Sequence, residues 1–211
     1  MRNLFLLLCC SWLVQGCSSS KIVSAWGSDA YSPQHQKIVV FAVVKAEDSA
    51  LQQRMEQHVV GDLLALGYKA YSSKQLYGGQ LKNLGAMQVY QQLQTDSVDA
   101  VMTIVLLDKQ KEQVYIEEKS QQQSRAGDFE KYYEDMNKRT SSAGYYTHLT
   151  TYFWEGKLYN LGAKELVYSS RTESFNPASV ERLGHEYGKQ IVNNMVKKGV
   201  LVKKSPHVKP I

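Results

Sequence analysis

Val98-Asp99-Ala100-Val101-Met102-Thr103-Ile104-Val105-Leu106-Leu107 decides the fold, because it is the longest apolar run beyond the amino-terminal one. A run of this length and composition reads as a strand at the centre of a sheet. Upstream, Ala86 to Gln94 places Met87, Tyr90 and Leu93 on one side and reads as a helix, while Ser73 to Gly85, broken by Gly78-Gly79, reads as one helical turn and a loop. Tyr68 to Ser72 alternates and reads as a second strand. Ile38 to Val44, IVVFAVV, is an almost wholly apolar run expected to be covered on both faces. Between these strands, Leu51, Met55, Val59, Leu63 and Leu66 recur every three or four residues, which marks a helix. Asp48 or Ser49 is placed to cap its start and Gly67 to end it.

Downstream, Asp108 to Glu112 reads as a polar turn and Val114 to Glu118 as a partner strand. Residues 119–144 change character and read as a mobile insertion, with one short helix over Asp128 to Lys138. Its aromatic residues Phe129, Tyr132 and Tyr133, with Tyr145 and Tyr146 just after it, form the candidate contact surface, against the plainer reading of local packing. Thr147 to Leu161 and Glu165 to Phe175 flank Gly162-Ala163-Lys164 as a hairpin. Asn176 and Pro177 are placed to open a closing helix lined by Val180, Leu183, Tyr187, Ile191 and Met195, with Gly199 at its end. Val200 to Val202 reads as a last edge strand before a basic tail over 203–211. The fold class expected is α/β (α+β): one mixed sheet of about five to six strands with two to three helices packed on it.

The amino end sets the compartment. Arg2 is followed by the apolar stretch Leu4 to Val14. As a helix that stretch rises about 16 Å against a hydrocarbon core of about 30 Å, so it is too short to span. Leu13-Val14-Gln15-Gly16-Cys17 resembles a bacterial lipobox, in which the cysteine is lipidated and becomes the first mature residue. The resemblance implies a signal peptide over 1–16, a lipidated Cys17 with a flexible tether over 17–36, and a domain over 37–202. Ser18, where inner-membrane lipoproteins commonly carry aspartate, implies the periplasmic face of the outer membrane. The three cysteines are Cys9, Cys10 and Cys17, so the domain has no disulfide framework and no thiolate metal site. A lone cysteine after conventional cleavage is the alternative. The net charge of +5 is concentrated partly at the carboxyl end, and nucleic acid is not expected as a partner outside the cytoplasm.

The opening strand Lys37 to Val44, Val98-Asp99-Ala100-Val101, and Leu158-Tyr159-Asn160 followed by Lys164-Glu165-Leu166-Val167-Tyr168-Ser169 together resemble the small lipoprotein domains related to the Tol-Pal propeller protein's amino-terminal domain and the curli-secretion lipoprotein. Asn160 and Tyr168 stand where that group typically has aspartate and tryptophan. The resemblance implies a non-enzymatic role by protein contact in envelope assembly, secretion or maintenance, and carries no catalytic residue. The histidines His35, His58, His148, His185 and His207 show no zinc-helix spacing, and no nucleophile elbow or phosphate loop occurs. No cofactor and no metal are expected. The second reading is a binding module for a small apolar or glycan ligand, built on Tyr145, Tyr146, Tyr152, Phe153 and Trp154.

Overall fold

A computed structural model describes residues 19–28, 37–116, 129–141 and 145–204. The two apolar runs become the centre of the sheet: β2 (Lys37–Val43) lies beside β4 (Ala100–Ile116), in parallel. β1 is Ser20–Gly27, β3 Lys69–Ser72, β5 Tyr145–Asn160 and β6 Glu165–Phe175. The order across the sheet is β1-β6-β5-β4-β2-β3. β3 and β4 flank β2 in parallel, whereas β4, β5, β6 and β1 pair antiparallel. This is the mixed α+β sheet expected from the sequence, with six strands.

The helical stripes fold as their spacing dictates. α1 (Ser49–Ala65) buries Leu51, Met55, Val59 and Leu63, and α5 (Val180–Lys197) buries Leu183, Tyr187, Ile191 and Met195, all against one face of the sheet. That face contributes Ile38, Val40, Met102, Ile104, Trp154, Leu158 and Tyr168. A smaller core on the opposite face joins Val39 and Val101 to Tyr77 of α2 (Ser73–Tyr77) and Leu93 of α3 (Ala86–Thr95). α1 and α5 approach closely because Gly184 and Gly188 offer no side chain where they meet. A Cβ at Gly184 would lie 2.7 Å from the His58 ring, and one at Gly188 2.7 Å from Asp62 Oδ2. Gly67 and Gly199 end α1 and α5 with φ of 90° and 71°, a region that favours glycine.

Four expectations need correction. The tether expected over 17–36 contains β1, whose Ile22 and Ala25 pack on the core. A bulge between Ile22 and Ser24 shifts the register, so the strand lacks the strict alternation that marks one in a sequence. Residues 17, 18 and 29–36 lie outside the described residues. Asp108 to Glu112 is no turn: β4 runs on through it to Ile116, and its antiparallel partner is β5. α5 begins at Val180 and is capped by the Ser179 hydroxyl, which accepts from the Arg182 amide at 3.1 Å. Asn176 adopts φ of 40° and precedes the helix. Val200 to Val202 forms no strand; Val200 and Leu201 are buried in the core beside Met195. There the chain closes onto the end of α1, with the Lys204 amide donating to the Leu66 carbonyl at 2.9 Å.

Candidate contact site

β4 and β5 outrun their neighbours. β2 ends opposite Val105 and β6 ends opposite Thr151, but β4 and β5 stay paired out to Ile116 and Tyr145. The outer pairs therefore form a two-stranded arm, whose tip is the last described pair, Ile116 with Tyr145; residues 117–144, which include the helix Phe129–Ser141, join the two strands beyond it. Its entry is marked by a bulge at Leu107, between Leu106 and Asp108. Its base is tied down by Lys109, whose ammonium donates to Asp48 Oδ1 at 2.7 Å and lies 5.5 Å from the Tyr152 ring centre. The hydrogen bond to Asp48 raises the Lys109 pKa above its ordinary value. Asp48, one of the two residues placed by the sequence to cap α1, thus gives its carboxylate to the arm and makes no side-chain cap bond.

Because directly opposed residues share a face, the side chains of the arm can be sorted by pair. Tyr115 opposes Tyr146, with ring centres 5.1 Å apart, and Ile116 opposes Tyr145. Tyr115, Tyr145 and Tyr146 are 45%, 60% and 66% exposed. Behind this aromatic tip the shaft is polar, with Gln110, Lys111, Glu112 and Gln113 on β4. Of the residues singled out in the sequence, Tyr145 and Tyr146 therefore sit on the tip. Phe129, Tyr132 and Tyr133 lie exposed on α4 (Phe129–Ser141), where Phe129 and Tyr133 stack at 5.9 Å. Tyr115 and Ile116 complete the tip and were not singled out, although their hydrophobicity after a polar stretch was a usable signal. Cys17 lies outside the described residues.

The same end of the sheet holds the start of β1. Ser19 donates its amide and its hydroxyl to Glu186 Oε2 at 2.7 and 2.8 Å, and its carbonyl accepts the Phe175 amide at 2.8 Å. Glu186 is itself held by Arg182 at 2.7 Å, and the Gln190 amide group donates to the Ser20 carbonyl. The chain is thus pinned two residues after Cys17.

Two concave regions lie elsewhere on the domain. A groove of about 780 Å³ along α1 and α5 brings His58 and His185 within 5.7 Å, with His58 Nε2 2.8 Å from Glu181 Oε1. Nearby Asp62 has its pKa raised by burial, partly offset by His185, His58 and Lys189. Among the described residues no group of three or more metal-ligating side chains converges. An apolar groove of about 510 Å³ lies at the carboxyl end of β2, lined by Phe41, Val43, Val44, Tyr77, Leu81 and Val89. Glu56, buried behind it, accepts from the Ala42 and Lys74 amides, the Ser73 hydroxyl and Gln52, so it braces the loops. The aromatic set read as a ligand site does not assemble: Trp154 has no exposed surface, stacks on Tyr152 and meets the Tyr187 ring at a tilt of 55° in the core.

No family model and no curated protein matches the chain. Among solved structures it is similar to a PelC dodecamer from Paraburkholderia phytofirmans, at 7% identity and a TM-score of 0.47, covering 88% of this chain and 99% of that one. It is also similar to lipoprotein GNA1162 from Neisseria meningitidis, at 13% identity and a TM-score of 0.43, covering 77% and 99%. A neuraminyllactose-binding hemagglutinin homologue from Helicobacter pylori is similar at 8% identity and a TM-score of 0.40, covering 82% and 92%. At these scores the likenesses are ones of outline. Among the described residues no helix is long and apolar enough to cross a membrane.

Proposed function

We propose that this chain is a lipoprotein of the bacterial envelope, anchored through Cys17 on the periplasmic face of the outer membrane. On this reading it acts without catalysis, by contact with a neighbouring envelope protein. The observation that supports it best is the exposed aromatic surface of α4, where Phe129, Tyr132 and Tyr133 are 75%, 58% and 57% exposed. Large aromatic side chains left in water are where association recovers most free energy. The sequence reading of Leu13 to Cys17 supports the anchor.

Palmitate labelling of wild type against Cys17→Ala tests the anchor, with label expected only in the wild type. A photo-crosslinking residue at Tyr132 in intact envelopes tests the contact. A discrete adduct with one envelope protein is expected, and recovery of the chain without any adduct contradicts the contact role.

A further inference from the structure

The smaller of the two cores is left unfinished at one end of the sheet. β2 leads the chain to α1 on one face, and β3, its parallel neighbour, leads it to α2 on the other. Adjacent parallel strands whose connections leave to opposite faces open a crevice outside their carboxyl ends, which is where such sheets take up small ligands. The groove of about 510 Å³ lies there, with Phe41, Val43 and Val44 on one wall and Tyr77, Leu81 and Val89 on the other. Phe41, Leu81 and Val89 are only half-buried by the core they join, and Val43 is 53% exposed.

The two walls are fixed to each other. Glu56 on α1 has no exposed surface, and its carboxylate accepts the Ala42 amide at 3.0 Å on the β2 side. On the α2 side it accepts the Ser73 hydroxyl at 2.9 Å and the Lys74 amide at 3.3 Å. The groove is thus held open in advance, and its volume falls within the roughly 300–1,000 Å³ of pre-formed sites for small organic molecules. Its lining calls for an apolar body, and the charge at its rim selects the head. Lys45 lines the groove and pairs with no carboxylate among the described residues. The carboxylates of the same loop, Glu47 and Asp48, do not line it, and Asp48 is held by Lys109. We propose that this groove binds a small amphiphile with an apolar chain and a carboxylate. The chain lies against Phe41, Val43, Leu81 and Val89, and the carboxylate meets Lys45. The site is separate from the aromatic surface of α4 and independent of the lipid on Cys17.

The test incubates the full chain, purified from whichever cell fraction holds it, with a dodecanoate analogue carrying a photoreactive diazirine on its chain. After irradiation the labelled peptides are mapped by mass spectrometry, with and without excess dodecanoate as competitor. Label that dodecanoate displaces is expected on residues 41–45 and 77–89. Val43→Arg, at a half-exposed position, places a charge in the groove and should lower that label at least about tenfold. Lys45→Glu, on an exposed residue, should lower it about threefold and leave labelling by the matching diazirine alcohol unchanged. Urea midpoints matching wild type show that both variants keep the fold. Equal loss of the acid and alcohol probes in Lys45→Glu overturns the carboxylate assignment. Label spread over the surface, or label on the groove that neither variant lowers, overturns the site. A photo-crosslinker at position 43 that joins an envelope protein, without competed labelling, gives the groove to a protein and also overturns the inference. Each of these failures leaves the Cys17 anchor and the α4 contact standing.

Discussion

The inner and outer halves of β4 share one hydrogen-bonded ladder with β5 and differ in everything else. Met102 and Ile104 have no exposed surface, covered by α1 and α5, whereas Tyr115 in the same strand is 45% exposed. Backbone pairing can therefore continue where burial stops. Stability is concentrated in the inner half, and the outer half leaves its aromatic side chains in water.

The largest expected contrast lies between two aromatic residues of β5. Trp154→Ala, inside the core, should cost about 3–5 kcal/mol in urea unfolding. Tyr146→Ala, on the tip, should cost no more than about 0.5 kcal/mol. Equal losses would break the division of the strand. Next comes Gly188→Ala, which places a methyl group 2.7 Å from Asp62 Oδ2 and 3.2 Å from the His58 backbone. It should cost about 1–3 kcal/mol by overpacking the two helices, read as a lowered Tm. Glu186→Gln weakens the charge-assisted bonds to Ser19 and should cost about 1–2 kcal/mol. It should also speed hydrogen exchange at the Ser19 amide more than at Ile104, and equal acceleration across the whole sheet would contradict a local latch.

The smallest effect concerns acid. Hydrogen bonds from Gln92 and Tyr77 hold the Asp96 pKa below its usual value. A depressed folded pKa contributes stability above the unfolded value near about 3.9, and that contribution is lost as the pH falls through the folded value. Asp96→Asn should therefore lower Tm slightly at pH 7 and show a smaller drop than wild type between pH 5 and pH 2. An unchanged acid profile would show that the carboxylate is not so held.

What the sequence revealed follows the same division. Val98 to Leu107 and the stripes of α1 and α5 were legible because burial imposes a period on the residues that supply it. The outer part of β4 was legible only from Val114 on, and as a separate strand, since a ribbon wet on both faces has no reason to alternate, and Asp108 to Glu112 looked like a turn. β1 was hidden by its bulge between Ile22 and Ser24. Ser179 and Asn176 both suit a helix cap by residue type, and only the backbone, with Asn176 at φ of 40°, decides for Ser179. The exposed aromatic residues of α4 and of the start of β5 were legible as surface. That Tyr146 meets Tyr115 was not, because the pairing depends on a register fixed far away in the core.

Hydrogen exchange along β4 and β5 tests the division most directly. Amides of residues 113–116 and 145–148 should exchange at least about tenfold faster than those of 101–106, which stay strongly protected. Equal protection of inner and outer β4 would contradict the account.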